Sequence, residues 1–126
     1  MTPFLQARQA YAAGRGSVRS ARSVELEIFG SVTASLRAAT IANSFPQLAA
    51  AMHDNRRLWT RLAADVADSG NALPATLRAQ IFYLAEFTEL HSRHVLHDDA
   101  DPAILIEINT AMMRGLGDST QARAAS

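Results

Sequence analysis

The sequence predicts an all-α protein: a compact up-and-down bundle of four main helices plus a short N-terminal helix. Three observations carry that prediction. Apolar residues recur at three- and four-residue spacings along most of the chain, alternating strand-like stretches are missing, and breaker residues cut the pattern into helix-sized segments. The chain has 126 residues and no cysteine. It therefore suits one domain with its own core, and it has neither a disulfide framework nor a thiolate zinc site.

Residues 4–13 are expected to form the short helix, ended by Gly14 and Gly16, with Gly14-Arg15-Gly16-Ser17 as a hinge. A second helix starts at Ser20 or Ser23, where serine suits the N-cap and Glu25 and Glu27 suit the positive first turn. Its apolar stripe is Val24, Ile28, Phe29, Val32, Leu36 and Ala39. A third opens at Ser44-Phe45-Pro46-Gln47, a capping box with proline early in the helix. Its stripe runs through Leu48, Met52, Asn55, Trp59, Leu62 and Val66, and Gly70-Asn71 ends it.

The fourth helix starts near Pro74 and reads Leu77, Ile81, Leu84, Thr88, His91, Val95, close to a coiled-coil seam. It gives out around Leu96, before Asp98-Asp99-Ala100-Asp101. Asp101-Pro102 supplies an N-cap and an N1 proline for the last helix, whose face is Leu105, Ile108, Met112 and Leu116. Gly115 and Gly117 offer its stop. The expected organisation is a short helix and flexible basic arm over 1–22, a helical bundle over 23–117, and a disordered tail over 118–126.

Twelve arginines balance twelve acidic residues, and lysine is absent. That neutrality argues against bulk nucleic-acid or membrane-surface binding, which needs a standing positive field. Arg8, Arg15, Arg19 and Arg22 nevertheless occupy the first 22 residues without an acid. Such a run reads as a solvated arm or as a contact for an anionic partner. No signal-peptide pattern precedes residue 20, and no apolar run approaches the roughly 18 to 20 residues of a membrane helix, so a cytoplasmic protein without a membrane segment is expected.

Residues able to carry chemistry are scattered. His91, His94 and His97 are three apart, but their spacing matches no metallohydrolase motif, and His91 lies on an apolar stripe where a hydrogen-bonded core histidine fits. Glu86 and Glu89 read as a solvated face. No nucleophile set, phosphate loop or metal site emerges, so neither catalysis nor a cofactor is expected. Arg56-Arg57 beside Trp59 is the most pointed group: Arg57 can pair with Asp54 and Trp59 lies on the core stripe, or else Arg56 and Trp59 flank a groove. Arg78 can clamp a carboxylate. Asn109, alone among Ile106, Ile108 and Met112, either fixes helix register or serves a partner. The candidate partner-binding residues are thus Asn55, Arg56, Arg57, Trp59, Arg78, Asn109 and Met112.

Several phrases acquire more meaning together. Glu25-Leu26-Glu27-Ile28-Phe29-Gly30 and Asn55-Arg56-Arg57-Leu58-Trp59 come first, followed by Leu62 with Asp65. Asn71-Ala72-Leu73-Pro74 then leads into Ala75-Thr76-Leu77-Arg78-Ala79-Gln80-Ile81, and residues 104–116 close the series. In this order and spacing they resemble the FlaF-type flagellar biosynthesis regulators of alphaproteobacteria, over residues 23–116. The resemblance implies a cytoplasmic helical protein required for flagellin production and export, acting as a flagellin secretion chaperone alongside an FlbT-type regulator of flagellin mRNA. Flagellin's terminal helical segments are the implied cargo, held by helix-in-groove docking, with Met52, Met112 and Met113 as adaptable surface or as plain core. The alternative is post-transcriptional control of flagellin mRNA, direct or through the FlbT-type partner. Its only support in the chain is the basic arm, and no aromatic stacking platform accompanies it.

Overall fold

A computed structural model describes residues 17–125, with side chains over residues 25–115. Four helices follow one another: α1 (Ser17–Ala42), α2 (Phe45–Ala67), α3 (Ala75–Asp98) and α4 (Ala103–Ala125). No strand occurs among the described residues. The expected helix over 4–13 and the Gly14–Gly16 part of the hinge lie outside them.

The breaks fall where capping chemistry puts them. Asn43 takes the left-handed conformation at φ 51° and closes α1, a role that asparagine tolerates better than most residues. Ser44 caps α2, its hydroxyl accepting from the Gln47 N–H at 3.4 Å, and Pro46 sits in the first turn. Asp99 at φ 57° closes α3, and Asp101 Oδ1 accepts from the Ala103 N–H at 2.9 Å to open α4.

Two boundaries differ from expectation. α1 begins at Ser17, so Arg19 and Arg22, assigned to a flexible arm, belong to its first turns; arginine and alanine there are good helix formers. α4 continues to Ala125, past Gly115 and Gly117, so the backbone over 118–125 is helical rather than a disordered tail. Glycine costs a helix only about 1 kcal/mol relative to alanine, and the Gln121-Ala122-Arg123-Ala124-Ala125 run beyond it favours continuation.

Each helix packs on its chain neighbour, α1 on α2 and α2 on α3. α4 returns to α1, while α3 and α4 touch only sparingly. Cross-links between α2 and α3 join Arg56 to Glu89 and Val66 to Arg78, as antiparallel neighbours require. The core divides into two apolar clusters. One gathers Leu36, Ala39, Ala51, Met52, Val95 and Leu105; the other gathers Phe29, Trp59, Val66, Ile81 and Ala85. Between them lie the buried polar residues Thr33, Asn55, Thr88, Ser92 and Asn109, so every helix contributes to one polar layer. The predicted stripes supply most of this core; Leu77, on the stripe of α3, is instead exposed.

Candidate partner-binding cleft between α2 and α3

Trp59 organises the site from below. Its ring meets Phe29 edge-on, with centroids 5.8 Å apart and planes at 84°, an arrangement the aromatic quadrupole favours. Its indole Nε1 donates to Asn109 Oδ1 at 2.9 Å, and Asn109 Nδ2 donates in turn to Asn55 Oδ1 at 2.8 Å. All three residues are essentially inaccessible. Asn55, Trp59 and Asn109 therefore form one hydrogen-bonded chain linking α2 to α4 across the core. The two asparagines expose no side chain for a partner.

Above Trp59, α2 and α3 are bridged by charge. Arg56 Nε donates to Glu89 Oε2 at 2.9 Å, Arg56 Nη2 donates to Glu89 Oε1, and Arg93 Nε stands 3.5 Å from the same Oε1. The hydrogen bond from Arg56 holds the Glu89 carboxyl below the usual carboxylate range and holds the Arg56 guanidinium above its ordinary value, against partial desolvation of both. Both groups are charged at neutral pH and committed to each other.

Beside this bridge lies a cleft of about 600 Å³. Trp59, Ala63, Ala85 and Thr88 form its buried or half-buried floor. His53, Arg57 and Arg61, at four-residue spacing along α2, line its exposed rim, with Glu86 on the α3 side. The expected Asp54–Arg57 pair is not formed; among the described residues no ion pair involves Arg57 or Arg61. A largely apolar floor under arginines that form no ion pair among the described residues suits the apolar face of a helix that carries acidic residues.

Arg56, Arg57 and Trp59 thus meet at one cleft, and the other candidates lie apart from it. Arg78 clamps carbonyls rather than a carboxylate: its Nε donates to Val66 O at 2.9 Å and its Nη2 to Asp68 O at 3.4 Å. A cation there satisfies groups at the negative end of the α2 dipole. Met112 is half-buried against the Trp59 cluster with Leu84 and Ile108. His91 Nε2 donates to the Asp101 carbonyl at 2.9 Å and its ring stacks on Phe87, while His94 Nδ1 pairs with Asp98 at 2.9 Å. Among the described residues no group of three histidine or acidic side chains is placed to hold a metal ion. No described helix is long and apolar enough to cross a membrane.

Sequence reasoning missed the contributions of Glu89, Arg61 and Thr88 to the cleft. Glu89 shows locally only its four-residue spacing to Arg93; the arginine that bridges it to α2 is 33 positions away. The four-residue spacing of His53, Arg57 and Arg61 was the available clue to a cationic rim. No curated protein and no solved structure matches the chain. A family model described as flagellar protein FlaF does match, over residues 7–116, and with that span covering most of its length the chain belongs to the FlaF family.

Proposed function

We propose that this flagellar protein is a non-enzymatic, cytoplasmic chaperone that binds flagellin's terminal helical segments before export and thereby regulates flagellin synthesis and secretion. Membership of a flagellar family supplies the cellular setting. The observation that carries the reading is the cleft beside Trp59, apolar at its floor and cationic at its rim, between two long antiparallel helices. Flagellin's terminal segments are apolar and pair only in the assembled filament, so they need a transient partner. A groove between two helices accepts such a segment as a third helix.

The test is co-purification of the full chain with its host's flagellin, with and without flagellin's terminal segments, next to a flagellin mRNA control. Stoichiometric capture that requires those segments, and that is lost with Thr60→Trp (a substitution at an exposed position that fills the cleft), supports the reading. Salt-sensitive capture of mRNA without flagellin overturns it in favour of RNA-level control. Capture unaffected by Thr60→Trp moves the binding surface elsewhere.

A further inference from the structure

The floor of the cleft contains a group that an apolar groove does not require. The hydroxyls of Thr33, Thr40, Ser92 and Thr110 each donate to the carbonyl four residues earlier, at 2.6 to 2.8 Å. Thr88 does not follow them. It is 1% exposed, it lines the cleft, and its Oγ1 has no hydrogen-bond partner among the described residues. In the same polar layer, Asn55 Nδ2 is also buried and has no partner among the described residues. Leaving a buried hydroxyl unmet costs about 1–3 kcal/mol, and a valine of the same shape avoids that cost. Thr88 lines the cleft, so an occupant of the cleft is one partner open to the hydroxyl, and the Asn55 amide of the same layer is the other.

Charge narrows the choice of occupant. Arg56 is committed to Glu89, and Glu89 is neutralised by Arg56 and Arg93. Among the described residues, Arg57 and Arg61, one turn apart, are the arginines at the mouth without an ion pair, and Glu86 is the acid on the opposite rim. Resting on the reading above, we infer that the cleft recognises a carboxylate carried on the apolar face of the docked helical segment. One carboxylate oxygen accepts a hydrogen bond from Thr88 Oγ1, and Arg57 and Arg61 balance the charge. A neutral amide at that position keeps the hydrogen bond and forfeits the attraction, so the site discriminates between glutamate and glutamine in the ligand.

The experiment titrates the full chain with synthetic peptides covering the terminal helical segments of its host's flagellin, each acidic residue in turn changed to its amide. Trp59 is the only tryptophan, so its fluorescence reports occupation of the cleft directly. One acidic position is expected at which the amide weakens binding about tenfold or more, the range of a charge-assisted hydrogen bond. On Thr88→Val and on Arg57→Gln that difference shrinks to about threefold or less, while Thr88→Val melts no lower than wild type. Peptides that bind wild type equally well as acid and amide overturn the inference and leave the chaperone reading standing, as does unchanged discrimination by Thr88→Val. Failure of every peptide to bind overturns both.

Discussion

Helix α3 is held in opposite ways on its two flanks. Toward α2 it is pinned at its start by Arg78 reaching the last carbonyls of α2, and at mid-length by the two-pronged Arg56–Glu89 pair. Toward α4 the contacts are sparse, and the polar tie between these helix ends is His91 with the Asp101 carbonyl at the turn between them. Helix α3 also carries Leu77, Phe82, Tyr83 and Leu90, four of the six exposed large apolar residues among those described. A second hollow of about 680 Å³ runs beside Tyr83 and Leu84. Long polar side chains therefore decide which seam of this bundle closes, while the apolar stripe alone treats both flanks of α3 alike.

The largest effect is expected where the polar layer joins α2 to α4 across both flanks. Asn109→Ala removes the acceptor of the Trp59 indole and the donor to Asn55, leaving both buried groups unmet. A loss of about 2–4 kcal/mol in urea unfolding is expected, and a loss below 1 kcal/mol breaks the view that this chain holds the centre together. Next comes the closed flank. Arg78→Ala frees the carbonyls of Val66 and Asp68 and should cost about 1–2 kcal/mol, read in the same unfolding experiment.

A smaller effect separates the charge bridge from the rest. Glu89 has a folded-state pKa below its unfolded value, so the folded protein binds fewer protons there. The stability it contributes is complete above about pH 5 and is lost as pH falls through about 4 and below. Because the pair is more than a third exposed on the Glu89 side, its size is discounted to about 0.5 kcal/mol. Glu89→Gln should flatten that part of the acid limb in a comparison of denaturant midpoints across pH. The smallest change belongs to the exposed apolar residues of α3: Tyr83→Ser, at a residue 68% exposed, is expected to shift stability by no more than about 0.5 kcal/mol. A larger loss means that the Tyr83 ring is packed against a neighbour.

The four helices and their breaks were legible because capping residues mark them: Ser44 before Pro46, Asp101 before Pro102, and Gly70-Asn71 after α2. The core faces of α1 and α2 were legible from periodicity, down to Leu36, Met52 and Trp59. The partners of polar residues were not. Arg56 and Arg57 are adjacent in sequence and look equivalent, yet helix rotation sends one onto Glu89 of α3 and leaves the other on the rim. Arg78 shows no local sign that its targets are carbonyls ten and twelve residues earlier. Asn55 and Asn109 are 54 positions apart, and only their meeting in three dimensions shows that the two amides belong to the core. Such pairings depend on how helices sit against one another, which spacing along a single helix does not contain.

The amide that completes the Trp59 chain also sets an order in time. Asn109 lies on α4, which is synthesised after the other three described helices, whereas Trp59 and Asn55 emerge much earlier on α2. A nascent chain ending after α3 can pair α1 with α2 and α2 with α3, but the indole N–H and the Asn55 carbonyl oxygen have not yet met their shared partner. Desolvating them at that stage is penalised, so the three-helix stage stays loose and wet at its middle. The arrival of α4 then seals the interior in one cooperative step, and a chain truncated before Asn109 should remain a fluctuating, protease-sensitive species.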